Sequence, residues 1–256
     1  MSPANQVREK PAHLLITGAS SGIGAALALA YAAPDVRLAL FGRDEPRLRQ
    51  VAEACRTKGA LVAAILADVA DAEVMAQATI LVDDAYPLDL VIANAGVSGA
   101  TIGGSVERLF AINVMGVIHT VEPLLPRLIT RGRGQIALMS SLASFVNRPG
   151  TAAYCASKAA VRIWGEGLRE RLLPQGVDVS VICPGFIDTP LTRRNPFPMP
   201  QLMTVEAAAT LIKRRLAQGH ARIAFPTALY WGARLAGLLP TAWQHRATAR
   251  WPGKEP

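Results

Sequence analysis

The sequence predicts a single-domain α/β fold, a doubly wound parallel sheet of about seven strands with helices on both faces. Three observations predict it. Short apolar runs alternate with helical patterns along most of the chain, the signature of repeated β–α–β units with right-handed crossovers. The runs lack strict polar–apolar alternation, as parallel strands covered on both faces do. The length, 256 residues, suits one domain with a sizeable core.

Met1 to Lys10 is polar, lacks the apolar centre of a signal peptide, and is expected to be a flexible tail. Residues 11–225 form the predicted domain. Its strands are expected at Ala12–Thr17, Val36–Phe41, Leu61–Leu66, Leu88–Ala93, Gly134–Ser140, Val177–Cys183 and Arg222–Phe225. After the first strand, T-G-A-S-S-G-I-G leads into a helical pattern from Ala25 to Tyr31. Further helices are expected at Asp44–Thr57, where Asp44 reads as an N-cap, then at Asp71–Asp84, Ser105–Ile129, Ala152–Leu173 and Thr204–Gln218. Pro123 and Pro126 should kink the fourth of these. Residues 226–256 read as a basic amphipathic extension, in which Pro226 and Pro240 bracket a helix of about three turns.

Composition narrows the function. No stretch has the roughly 20 uninterrupted apolar residues of a membrane span. Cys55, Cys155 and Cys183 are widely spaced with no metal-ligand pairing. They are expected to stay reduced in a cytoplasmic setting, with Cys155 serving as packing. His13, His119, His220 and His245 form no cluster, so no metal is expected. Up to Thr189 the chain holds 17 basic and 17 acidic residues; from Pro190 onward it holds ten basic and two acidic, so the last quarter carries the whole net charge of +8. That quarter also holds Trp231, Trp243 and Trp251. Aromatics beside arginines fit docking on a subunit or the protein interior, and also peripheral contact with an anionic inner-membrane surface. No nucleic-acid motif accompanies the charge, so nucleic-acid binding is not expected.

The chemistry centres on Y-C-A-S-K. Tyr154 and Lys158 are one helical turn apart, and Ser141 lies thirteen residues before the tyrosine. A cation beside a phenol favours the phenolate, a tuned phenol exchanges a proton with a carbonyl or alcohol oxygen, and a serine hydroxyl can hold that oxygen. Ser140 is the competing serine. Strand, glycine turn and helix at the N-terminus form a nucleotide phosphate loop spaced G-x-x-x-G-x-G. Gly18 permits the tight turn, Gly22 lets the backbone approach a pyrophosphate, Gly24 lets the helix pack closely, and the helix N-terminus favours phosphate.

T-G-A-S-S-G-I-G, Asn94-Ala95-Gly96, Asn113, Ser141, Tyr154 with Lys158, and Pro184-Gly185 occur in one order between about Ala12 and Thr189. This series resembles the short-chain dehydrogenase/reductases. The resemblance implies a Rossmann fold, a nicotinamide cofactor, and carbonyl–alcohol interconversion by hydride transfer. It implies Ser141, Tyr154, Lys158 and Asn113 as the catalytic set: Tyr154 trades the proton, Lys158 tunes it and holds the nicotinamide ribose, and Asn113 holds a water of the proton relay. Cofactor contacts are expected at Gly18, Ser20, Ser21, Gly22, Ile23 and Gly24, at Asp68 and Val69 near the adenine, at Asn94, Ala95 and Gly96, and at Tyr154, Lys158, Pro184, Gly185, Ile187 and Thr189. Arg43, at the end of the second strand, stands where a 2′-phosphate is read, which favours NADP over NAD.

The resemblance also implies a homodimer or homotetramer built on paired helices. Val97 to Ser105 departs from the family in being short and glycine-rich, which loosens the site. The resemblance places a substrate lid at about 190–204, where Phe197, Met199, Pro200, Leu202 and Met203 point to a lipophilic substrate, with Arg193 and Arg194 placed for an acidic head group. The alternatives are a 3-oxoacyl thioester reductase and a non-catalytic NADP-binding or membrane-surface protein.

Overall fold

The computed structural model describes residues 10–99, 103–146, 150–193, 198–240 and 243. Seven strands form one parallel sheet: β1 His13–Thr17, β2 Arg37–Gly42, β3 Leu61–Leu66, β4 Leu90–Ala93, β5 Gly134–Met139, β6 Val177–Pro184 and β7 Arg222–Phe225. Their order is β3-β2-β1-β4-β5-β6-β7. β1 pairs with β2 through His13 opposite Arg37 and with β4 through Leu14 opposite Leu90. The order therefore reverses beside β1, and in a doubly wound sheet ligands bind outside the strand C-termini at that point.

Alternate residues of each strand feed two cores. Leu14, Ile16, Leu38, Leu40, Leu90 and Ile92 pack against α1 Gly22–Tyr31, α2 Glu45–Arg56 and α8 Val205–Ala217. Leu15, Ala39, Phe41, Val91 and Leu138 face α3 Ala72–Ala85, the helical segment 106–131, and α7 Ala152–Leu172. Asp44 caps α2 as expected, accepting from the Arg47 N–H at 3.1 Å. After β7 the chain forms α9 Thr227–Leu238, which lies over Leu142, Val181 and Cys183.

Two elements differ from expectation. β3 is the sheet edge: Leu61 is 54% and Leu66 50% exposed, so this strand is not covered on both faces. The single helix expected from Ser105 is divided into α4 Val106–Phe110, a π turn Ala111–Met115, α5 Gly116–Val121, a 3₁₀ turn Glu122–Leu124 and α6 Leu125–Arg131. Pro123 accounts for the 3₁₀ turn, since it removes an N–H from the ladder. The π turn has no comparable local signal. By length and composition residues 106–131 are apolar enough to cross a membrane, but half of that window is buried, with Leu109, Ile112, Val117, Val121 and Leu128 in the core.

Candidate active site

A cleft of about 630 Å³ opens at the C-terminal ends of β1, β4, β5 and β6. Its floor is the glycine turn between β1 and α1. Gly18 has φ +65°, and a Cβ there would lie 2.8 Å from the Ala95 Cα. A Cβ on Gly24 would lie 2.2 Å from the Gly18 carbonyl oxygen, so α1 and the turn can approach this closely only without side chains. Thr17, overlooked among the sequence's site residues, ties the turn to β4: its buried hydroxyl accepts from the Asn94 N–H at 3.0 Å and the Ala95 N–H at 3.1 Å. Asn94 in turn donates its side-chain amide to the Thr17 carbonyl at 2.9 Å. Asn94 thus borders the cleft with that N–H group already engaged. Ser20, Ser21, Gly22 and Ile23 line the cleft at the start of α1, and the Ser21 side chain forms no capping bond.

The rim beyond β2 is basic. Arg43 and Arg47 both line the cleft. Arg47 is held by Asp44 through Nε at 2.7 Å, whereas Arg43 has 51% of its side chain exposed and reaches Asp68 only at 3.5 Å. The tighter partner of Asp68 is Arg108 from α4. Burial works against the Asp68 carboxylate, yet the Ala70 N–H, Arg108 and Arg43 hold it below the usual range. Val69 lines the cleft; Asp68 itself is occupied by these cations. Nothing near Arg108 in sequence marks a partner 40 residues upstream.

At the opposite end Ser141, Tyr154 and Lys158 converge. The two serines separate: Ser140 is buried and donates to the Lys158 carbonyl at 2.7 Å, while Ser141 lines the cleft with Tyr154 and donates to the Pro184 carbonyl at 3.4 Å. Lys158 Nζ stands 5.9 Å from the Tyr154 ring centre and donates to the Met139 carbonyl at 3.0 Å. Burial pushes the phenol up to about 12, with Ser141 opposing, and pushes the ammonium down to about 8. The expectation that the lysine simply depresses the phenol is corrected here: in this state desolvation dominates both groups. Asn113 sits in the π turn, fully buried, accepting from the Val97 N–H at 2.8 Å and donating to the Val97 carbonyl at 3.0 Å and to Ser157 at 3.1 Å. Asn113 Oδ1 and Lys158 Nζ both border Gly96, at 3.3 and 3.2 Å from where its Cβ would be.

Pro184, Gly185, Ile187 and Thr189 line the remaining wall. Thr192, also missed in the sequence, braces it by donating to the Ile187 carbonyl, and lies 3.1 Å from the Thr189 hydroxyl. One expectation for the lid is corrected. Met203 is bridged to Ile187 and packs on the core, so it is structural. Arg193 pairs with both oxygens of Asp188, at 2.7 and 3.2 Å, and keeps 68% of its side chain exposed. Met199 is half-buried and Leu202 exposed. Arg194, Phe197, His245, Trp251, residues 1–9 of the N-terminal tail and part of the Val97–Ser105 segment lie outside the described residues. Among the described residues no group of histidine, cysteine and acidic side chains is placed to hold a metal.

A dinucleotide suits these residues: a cradle that any Cβ would fill, a helix N-terminus, and an arginine with half its side chain exposed at the rim. The chain matches the family described as short chain dehydrogenase over residues 12–197. It is 40% identical over 232 residues to an uncharacterized oxidoreductase of Myxococcus xanthus, covering 88% of this chain and 92% of that one. A short-chain dehydrogenase of Sphingobium yanoikuyae, solved with NADPH, superposes with a TM-score of 0.78 at 26% identity, covering 95% and 98% of the two chains. For a Burkholderia phymatum short-chain dehydrogenase/reductase solved with NAD, the TM-score is 0.79 at 24% identity, covering 95% and 96%. The protein belongs to the short-chain dehydrogenase family of oxidoreductases, Rossmann-fold proteins that work with a nicotinamide cofactor.

Proposed function

We propose that this protein interconverts a carbonyl and an alcohol on a lipophilic small molecule with NADP(H), Tyr154 acting as the acid and base. The carrying observation is the convergence of Ser141, Tyr154 and Lys158 in one cleft, with the lysine buried and no carboxylate ion-paired to it among the described residues. The cofactor supplies the hydride. Ser141 and Tyr154 hold the substrate oxygen between two hydroxyls. A phenol raised to about 12 is protonated at neutral pH, the form needed to deliver a proton to a developing alkoxide. Lys158 places its charge beside the ring and stabilises the phenolate left behind. We assign Asn113 the relay water, since its carbonyl oxygen and Lys158 Nζ border the same space at Gly96. Arg43 reads the 2′-phosphate, supported by its exposure and its loose contact with Asp68. Leu202 and Met199 support a lipophilic substrate.

The test is Tyr154→Phe, which keeps the ring and removes the proton. NADPH oxidation over a panel of ketones and aldehydes should fall by about 10²–10⁴-fold, the usual contribution of a placed acid. NADPH binding, followed by fluorescence, should change little. Near-normal kcat in this variant would remove Tyr154 from the mechanism.

A further inference from the structure

We propose that the outer face of α9 docks on an anionic lipid surface. Trp231, Leu235 and Leu238 share one face of the helix and are 55%, 62% and 76% exposed. Trp243, just beyond, is 64% exposed. Arg234, three residues after Trp231 and four before Leu238, borders this face. The inner face of α9 is fixed to the domain: Leu229 and Tyr230 pack on Leu142, Val181 and Cys183, and Tyr230 meets Phe145 edge-on at 5.4 Å. The apolar stripe is therefore presented by a docked helix. Around the Phe145 ring, on which Tyr230 of the inner face packs, stand Arg162, Arg222 and Arg234 at 4.5, 5.6 and 5.9 Å. Glu166 ion-pairs with Arg162 and Arg222, leaving this cluster net positive. The sequence continues past α9 with Arg246, Arg250, Trp251 and Lys254, again cations interleaved with an aromatic.

Exposed tryptophan and leucine above a cationic flank match the interfacial zone of an anionic bilayer, where apolar burial and attraction to head groups act together. A second copy fits less well, because a two-fold contact here brings the arginine cluster toward its own image. Docking also has a consequence for access: α9 rests on Leu142–Phe145, the turn that follows Ser141, so the bilayer lies close to the mouth of the cleft. This surface is independent of the cofactor assignment.

The experiment mixes the full chain with vesicles of phosphatidylcholine alone and of phosphatidylcholine with phosphatidylglycerol. Binding should favour the anionic vesicles and weaken with salt. Leu235→Glu and Trp231→Glu should each weaken it on the order of tenfold, while NADPH-dependent turnover of a water-soluble ketone stays unchanged. A blue shift of tryptophan emission on binding should shrink in Trp231→Phe, a readout that needs no charge substitution. Equal binding to both vesicle types, or unaltered binding by the glutamate variants, overturns the proposal. So does loss of an oligomer in those variants without vesicle binding by the parent protein, since the face then joins two copies.

Discussion

At the scale of single residues the site is held in an electrostatically costly state. Lys158 is 3% exposed and its ammonium is pushed down to about 8 by burial. A folded pKa below the unfolded value of about 10.5 means that the unfolded chain binds the extra proton between those limits. Stability owed to this group is therefore lowest below pH 8 and recovers as pH rises toward about 10.5. The shift corresponds to roughly 3 kcal/mol at neutral pH. Lys158→Met should raise the melting temperature by a few degrees at pH 7 while abolishing turnover and weakening NADPH binding. The stability advantage should shrink as pH rises through 8 to 10; a variant less stable than the parent at pH 7 refutes this account. At the rim, Arg43→Asp should weaken NADPH binding by about tenfold or more, the value of a charge-assisted phosphate contact, and improve relative use of NADH. Arg108 acts at one remove. It holds Asp68 more tightly than Arg43 does. Arg108→Ala should let Asp68 draw Arg43 inward and raise the KM for NADPH several-fold, with KM for NADH little changed. Equal Michaelis constants for the two cofactors in the parent protein would exclude both expectations.

At the scale of elements, buried polar ties fix how the segments meet. Asp83 on α3 is almost fully buried, accepting from the Leu88 N–H at 2.9 Å and from both Arg131 amino groups at 2.7 and 2.8 Å. Burial opposes its charge, but these donors together with Arg127 hold the carboxyl below its usual range. A depressed carboxylate contributes stability above its unfolded pKa of about 3.9 and loses it as pH falls through the folded value. Asp83→Ala should destabilise by about 3 kcal/mol, the lower end for a broken buried pair because Arg131 is partly exposed, and should flatten the acid limb of the stability curve below about pH 4. An unchanged acid limb would assign that limb elsewhere. The strands were legible because parallel strands are continuous apolar runs; Leu61–Leu66 and Arg222–Phe225 coincide with expectation to the residue. The glycine cradle was legible because only glycine avoids the clash at positions 18 and 24. The π turn was not, because Asn113 is engaged by Val97 from outside its own helix. Arg108 and Thr17 were missed for the same reason: their partners are 40 and 77 residues away.

At the scale of the molecule, the remaining exposed apolar positions on the helices bear on assembly. α7 presents Ile163, 63% exposed, at mid-length, and the neighbouring broken helix presents Val106 and Met115 at 56% and 41%. α4 and α7 touch each other, so these positions belong to one region of the surface. Such a patch on paired helices is suited to meet its own image about a two-fold axis. We expect a homodimer or homotetramer through this region. A stable dimer buries about 800 Å² per partner, and a central side chain contributes most when its pocket is dry. Light scattering at micromolar concentration should report the oligomer, and Ile163→Arg should dissociate it without altering the fold seen by circular dichroism. Leu235→Glu on α9 should leave the oligomer intact if, as proposed, that face meets a lipid surface. A monomeric parent protein counts against assembly altogether; an oligomer that survives Ile163→Arg and falls apart with Leu235→Glu exchanges the roles of the two faces.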